Sequence, residues 1–266
     1  MRPRSPGAKL APGYEVVEHL ARSNVLDVYH VWSEVRNCHC VAKVLRPDQR
    51  RNTGVRRRLL AEGSLLESCV HPGIVRGYET IRSPEPVVVM ESLGGETVGH
   101  LIERRELKAA ELAFLGLQLA SAAGYLHDRG LVHLDLKPSN VIAEGGRAKV
   151  IDLSLARAPG RIKTGVGTWC YMAPEQARAG EVGPPADVWG IGIVLFSAVA
   201  GDTPFGDSDE EYPQLHMRPP PIATERKRLP RPLSALIDAS LEARPEARPT
   251  IAEMRAVLTE VAGARG

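Results

Sequence analysis

Two hydrophobic periods divide this chain. Across residues 14–30 and Cys38–Leu45, apolar and polar positions alternate and β-branched residues are frequent, which predicts strands. Across 56–68 the period changes, and Leu59, Leu60, Leu65 and Leu66 form a stripe that predicts a helix. Residues 87–90 are a continuous apolar run, as in a buried strand. Ala109–Asp128 is rich in alanine and leucine and amphipathic, a helix that Gly130 ends. Asp187-Val188-Trp189-Gly190 opens another apolar helix. Stretches 233–241 and 250–262 predict closing helices, and Thr250 with Glu253 makes a capping box for the last. The proline- and charge-rich stretch 201–232 predicts loops with little regular structure, and no internal repeat or heptad appears. Residues 1–13, basic and rich in proline and glycine, are predicted to be disordered.

The chemistry concentrates in His133-Leu134-Asp135-Leu136-Lys137-Pro138-Ser139-Asn140. A second carboxylate, Asp152, follows twelve residues after Asn140, beyond an apolar run. Two acids, an amide and an ammonium group in this order can hold a phosphate-bound metal, a phosphate and an attacking hydroxyl. Phosphoryl transfer asks for that positioning and charge neutralisation, and for little covalent chemistry from the protein. Downstream, Gly167-Thr168-Trp169-Cys170-Tyr171-Met172-Ala173-Pro174-Glu175 and Arg244-Pro245-Glu246-Ala247-Arg248-Pro249 complete the set.

These motifs, in this order, resemble those of eukaryotic-type serine/threonine protein kinases in their bacterial, Hanks-type form. The resemblance runs from about Tyr14 to about Val261. It implies an α+β, two-lobed protein kinase fold: a small β-rich N-lobe (14–91) with one main helix, a hinge (91–95) and a larger helical C-lobe (96–262). It implies ATP and Mg2+ as cofactors and protein serine or threonine hydroxyls as acceptors. Asp135 would accept or orient the hydroxyl proton, and Lys137 would neutralise charge on the γ-phosphate. Asn140 and Asp152 would bind the metal. Lys43 would hold the nucleotide phosphates and pair with Glu62, nine residues before His71-Pro72. Leu20 and Val28 above and Ile142 below would sandwich the nucleotide, with Val41 covering the adenine ring. Met90 would be the gatekeeper, with backbone groups of Glu91 and Leu93 reading the adenine edge. Thr164 is the candidate acceptor in the loop between Asp152 and Glu175. Thr168 would hydrogen-bond toward Asp135 and Lys137, Glu175 would pair with Arg248 as a structural ion pair, and Asp187 would hold the backbone of the 133–140 loop.

Three departures from the family pattern carry physical content. The three loop glycines are replaced by Ala21, Ser23 and Leu26, which predicts a looser grip on phosphates, because glycine alone lets backbone approach them without a Cβ. Leu134 stands where the family has the arginine that binds a phosphorylated activation loop, so activity independent of that phosphorylation is expected. Ser154 replaces a glycine in Asp152-Leu153-Ser154, which restricts backbone freedom there. These departures motivate an alternative, a pseudokinase that works by nucleotide binding or docking. A small-molecule phosphotransferase of related shape is disfavoured by the Glu175 and Arg248 motifs.

Composition narrows the remainder. The 266 residues are 43% hydrophobic and 25% charged with a net charge of +2, values of an ordinary globular protein with no strong electrostatic pull on nucleic acid or membrane. No secretory signal opens the sequence and no run reads as a membrane span, so a cytoplasmic location is expected. Cys38, Cys40, Cys69 and Cys170 read as reduced thiols, with a regulatory role for Cys170 as the sharper alternative. Arg50, Arg51, Arg56, Arg57 and Arg58 form a basic run that suits an acidic docking partner.

Overall fold

The computed structural model describes residues 2–163, 166–206, 210–226 and 228–263. The chain forms two compact units, residues 1–94 with 152–154, and residues 95–151 with 155–266. The division falls at 94/95, and Asp152, Leu153 and Ser154 go with the first unit.

The first unit is a six-stranded antiparallel sheet built from β1 (Lys9–Ala11), β2 (Tyr14–Arg22), β3 (Leu26–Ser33), β4 (Cys38–Leu45), β5 (Gly77–Ile81) and β6 (Val87–Glu91), in the order β1-β2-β3-β4-β6-β5. The period-two pattern puts Tyr14, Val16, Tyr29, Val31, Cys40, Ala42, Val44, Val87 and Val89 into one buried cluster. Helix α1 (Thr53–Ser68) packs on β4, β5 and β6. Its Asn52 cap accepts from the Val55 N–H at 3.2 Å, and Leu59 and Leu66 are buried, each burial stabilising by roughly 1.5–3 kcal/mol. The helix starts one turn before the predicted Arg56, because the cap precedes the apolar stripe.

The second unit is mainly helical: α2 (Val98–Arg104), α3 (Ala109–Asp128), α4 (Pro174–Ala177), α5 (Pro184–Ala200), α6 (Ile222–Glu225), α7 (Arg231–Ser240) and α8 (Ile251–Gly263). Helix α3 packs against α5 and α8, with Leu112, Leu119 and Leu126 buried, and Gly130 follows it with φ +72°. The Thr250 capping box forms, with Thr250 N–H to Glu253 Oε2 at 2.7 Å and Glu253 N–H to Thr250 Oγ1 at 3.2 Å. Short strands β7 (Glu96–Thr97), β8 (Val141–Glu144) and β9 (Arg147–Val150) form one sheet, and β10 (Gly160–Arg161) pairs with β11 (Glu181–Val182). These ribbons and α2 are too short to leave a periodic signature in the sequence.

Two expectations are corrected. The segment 1–13, predicted disordered, contributes β1: Leu10 is buried, the Arg4 N–H donates to the Tyr29 hydroxyl at 2.9 Å, and the Arg4 guanidinium meets Glu85 at 3.3 Å. Composition does not register such distant partners. The 201–232 stretch, expected to be loops with little regular structure, holds among its described residues only a short 3-10 turn at Pro213–Leu215, the short α6 and the start of α7. Finally, α3 is by length and composition apolar enough to cross a bilayer, contrary to the expectation that no run qualifies, but half of it is buried against its own unit as a core helix.

Candidate active site

In the first unit, three charged side chains converge. Strand β4 presents Lys43 and helix α1 presents Glu62, with Lys43 Nζ to Glu62 Oε1 at 2.6 Å and to Asp152 Oδ2 at 3.2 Å. Lys43 is 8% exposed, Glu62 1% and Asp152 28%. Burial disfavours the Lys43 ammonium, but the two carboxylates outweigh it and raise its pKa. Burial pushes the Glu62 carboxyl up, with Lys43 offsetting part of the effect. Burial also opposes the Asp152 charge; Lys43 and hydrogen bonds from Ser154, including its N–H to Oδ1 at 2.8 Å, override it and lower the pKa to about 2. Leu153 beside it is buried.

The β2–β3 hairpin is held by side chains where the family pattern has glycines. Ser23 Oγ accepts from the N–H groups of Leu26 at 3.0 Å and Val25 at 3.3 Å, and the Ser23 N–H donates to the Leu26 carbonyl at 2.9 Å. Arg46 Nη1 reaches the carbonyls of Ser23 and Asn24, both at 3.2 Å. Asp27, 1% exposed, accepts a bidentate pair from Arg22 at 2.7 and 2.9 Å and contacts His19 Nε2 at 3.0 Å. Burial opposes the Asp27 charge and these two partners override it, lowering the pKa. Backbone donors that a glycine loop offers to phosphates are thus engaged locally. Leu20 is half exposed, and Val28 pairs with Lys43 across the sheet. Val41 pairs with the buried Met90, and Glu91 ends β6, its N–H donating to the Arg76 carbonyl at 2.9 Å. Leu93 lies just beyond, partly buried and outside any strand.

In the second unit, the 133–140 loop gathers a second cluster. Asp135 Oδ2 accepts from Asn140 Nδ2 at 2.9 Å and lies 3.1 Å from Lys137 Nζ. Its Oδ1 accepts from the Thr168 hydroxyl at 2.9 Å and the Thr168 N–H at 3.1 Å, while Lys137 Nζ donates to Thr168 Oγ1 at 2.5 Å. Asp135 is 11% exposed and Lys137 18%, so both side chains are held yet open to solvent. Asn140 Nδ2 also donates to the Asp135 carbonyl at 3.0 Å. That leaves its oxygen as the donor atom for a hard cation. Among the described residues no group of three or more His, Cys, Asp or Glu side chains forms a metal site by itself. Ile142, on β8, is partly buried in this unit.

A second layer positions this loop. Asp187, at the start of α5, accepts from the N–H groups of His133 at 2.8 Å and Leu134 at 2.9 Å, and from His127 Nε2 at 2.8 Å. Leu134 has φ +67°, unfavourable for leucine by roughly 1–3 kcal/mol and tolerated only where the surroundings impose it. Asp187 fixes its N–H, and Gln176 Nε2 donates to its carbonyl at 2.9 Å. Gln176 also binds the Val166 carbonyl at 3.2 Å and accepts from the Ala173 N–H at 3.1 Å. Gly167, at φ +120°, is required here: a Cβ would lie 3.2 Å from both Gln176 Nε2 and the Leu134 carbonyl oxygen. Glu175 and Arg248 form a bidentate pair at 2.7 and 2.8 Å, with Arg248 over the Trp189 ring at 5.1 Å.

Gln176, His127 and Arg46 were not found by sequence reasoning. Each acts through a backbone group or carboxylate distant in sequence, and no local pattern announces such a partner. Thr164 lies outside the described residues. None of the four cysteines is in a disulfide, and burial pushes the Cys170 thiol up, away from the thiolate a regulatory role requires. In the basic run, Arg50 pairs with Glu85 at 2.8 Å and Arg56 bonds the carbonyl of Pro84 at 3.3 Å.

Residues 14–257 match the protein kinase domain family. Serine/threonine-protein kinase PknB of Mycobacterium tuberculosis is 33% identical over 271 residues, covering 95% of this chain and 43% of PknB. CBL-interacting serine/threonine-protein kinase 21 of Arabidopsis thaliana is 29% identical over 255 residues, covering 88% of this chain and 61% of that protein. The chain therefore spans under half the length of PknB. The crystal structure of the Mycobacterium tuberculosis PknI kinase domain superposes with a TM-score of 0.75 at 24% identity, covering 98% of this chain and all of that one, a likeness of fold. With a hairpin sheet, a Lys43–Glu62 pair and a 133–140 loop ringed by Thr168 and Asp187, the chain belongs to the protein kinase domain family.

Proposed function

We propose that this chain transfers the γ-phosphate of ATP to serine or threonine hydroxyls of a protein substrate, with Asp135 as the base. The observation that carries the reading is the Asp135 carboxylate, held at once by Asn140, Lys137 and Thr168. A carboxylate fixed this way is aimed before substrate arrives, which lowers the entropic cost of reaching the transferring geometry. It would accept or orient the acceptor's proton. Lys137, adjacent to it, would neutralise charge on the transferring group. Lys43, kept cationic by Glu62 and Asp152, would hold the nucleotide phosphates. The oxygen donors assigned to magnesium are Asp152 and Asn140. When bound, the metal would neutralise phosphate charge.

Activity is expected without phosphorylation of the 152–175 segment. Leu134 is buried and carries no charge that could engage a phosphate. Thr164→Ala is therefore expected to leave the rate unchanged; loss of activity with the fold intact would defeat this part of the reading.

The direct experiment is transfer of labelled γ-phosphate to the chain itself or to a generic protein, with magnesium. Transfer is expected, and Asp135→Asn is expected to abolish it without lowering the melting temperature. A second reading, a kinase-shaped docking module, is favoured by one observation: the hairpin N–H groups of Ser23, Val25 and Leu26 are already bonded within the hairpin. No transfer at any nucleotide concentration would select it.

A further inference from the structure

We propose that one face of the first unit's sheet is a zinc site, with the His30 and His39 imidazoles and the Glu18 carboxylate as its ligands. The three residues stand on neighbouring strands, Glu18 on β2, His30 on β3 and His39 on β4, all within the first unit. The inference is independent of the phosphotransfer reading, since it concerns a different metal on residues which that reading does not use.

Strand register brings them to one face. Glu18 lies directly opposite His30 in the β2–β3 pair. His39 lies opposite Trp32, two residues along from His30, in the β3–β4 pair. Residues directly opposite, or two apart along a strand, share a face, and a directly opposite pair has Cβ atoms about 4.5–5.5 Å apart. The His30 and His39 ring centres are 4.6 Å apart, with their planes tilted by 31°. A zinc ion bound at about 2.0–2.1 Å by one nitrogen of each ring holds two imidazoles at this order of separation. His39 and Glu18 are exposed and His30 is partly buried, so solvent and metal reach the face. As the side chains stand, no three close on a single point. The exposed Glu18 carboxylate is the one that turns in, drawn by the charge of the ion.

The chemistry of the set selects zinc. Neutral imidazole is the form that binds a metal. Burial, and after it His39, hold the His30 pKa below its ordinary value, with Glu18 acting in the opposite sense. His30 Nε2 lies 3.3 Å from Ser92 Oγ. When Nε2–H donates to that hydroxyl, Nδ1 keeps its lone pair, and Ser92 becomes the outer partner that orients a metal-bound histidine. Two imidazoles and one carboxylate suit zinc, whereas magnesium prefers oxygen ligands and retained water. His30 also pairs with Val41 across the sheet, so an ion here braces the strands that carry Val28 and Val41. Trp32 supplies a reporter: its ring is edge-on to His39, with centres 5.2 Å apart.

The test is calorimetric titration of the intact chain with zinc chloride at neutral pH, without nucleotide. One zinc ion per chain is expected at this face. His30→Asn and His39→Asn are each expected to weaken its binding at least about tenfold, and Glu18→Gln by a smaller factor. Zinc is expected to raise the melting temperature of the wild type and not that of the double variant His30→Asn, His39→Asn, whose metal-free melting temperature matches the wild type. Copper(II), which quenches nearby tryptophan fluorescence, reads the position. Saturable quenching is expected in the wild type, reversed by zinc and not by magnesium, and lost in Trp32→Phe and in the double variant. Absence of zinc binding, or zinc binding of unaltered affinity in the double variant, overturns the site. None of these readouts requires phosphotransfer, so failure of the transfer assay leaves the site standing.

Discussion

At the scale of residues, ion pairing is where this protein is most exposed to substitution. Arg248 is fully buried and spans Glu175 and the Pro185 carbonyl, the latter at 2.8 Å. Glu175→Gln leaves that guanidinium without its countercharge, and a loss of roughly 3–5 kcal/mol is expected in urea unfolding at neutral pH. Asp152 gives a pH signature. Its folded pKa is about 2, below the unfolded range near ~4. The stability it contributes is complete above about pH 4 and is lost as pH falls through 2. Allowing for partial exposure, that contribution is roughly 1–2 kcal/mol. Asp152→Asn is expected to lose this acid limb, while the wild type shows it in denaturation midpoints measured from pH 5 downward. The meeting of Asp135, Lys137 and Asn140 was legible in the sequence because all three lie on one short loop, 133–140. Gln176 was not, since its partners Leu134 and Val166 are chosen by the packed chain and not by neighbours in sequence.

At the scale of elements, close approach and local stapling decide behaviour. A Cβ on Gly190 of α5 would lie 2.8 Å from the Leu136 Cβ and 3.2 Å from its carbonyl oxygen. Gly190→Ala therefore has to displace the 133–140 loop. A loss of roughly 1–3 kcal/mol, with a fall in kcat exceeding any change in KM for ATP, is expected from kinetics and melting curves. The β2–β3 hairpin makes the opposite case. Replacing Ala21, Ser23 and Leu26 by glycine frees the N–H groups that Ser23 now occupies. A several-fold tighter nucleotide Kd is expected by calorimetry, together with a lower melting temperature, since glycine costs roughly 0.5–1 kcal/mol per residue in a strand. Unchanged affinity would mean that the hairpin does not touch phosphate. The loss of the glycines was plain in the sequence. Its replacement by the Ser23, Arg22–Asp27 and Arg46 contacts was not, because that arrangement needs the strand register.

At the scale of the whole molecule, a ligand that binds only the folded state raises its stability by mass action. ATP with magnesium is expected to raise the melting temperature, and ATP without it to do so less. No shift under either condition would remove the nucleotide from the account altogether. Hydrophobic periodicity, with the motif order, determined that strands precede helices and where α1, α3, α5 and α8 lie, because burial period is a local property of a chain. Tertiary structure alone decided the ordering of Lys9–Ala11, the strained backbone of Leu134 and the stapled hairpin. Each of these depends on groups brought together from distant positions, and no local pattern encodes the energy of such a meeting.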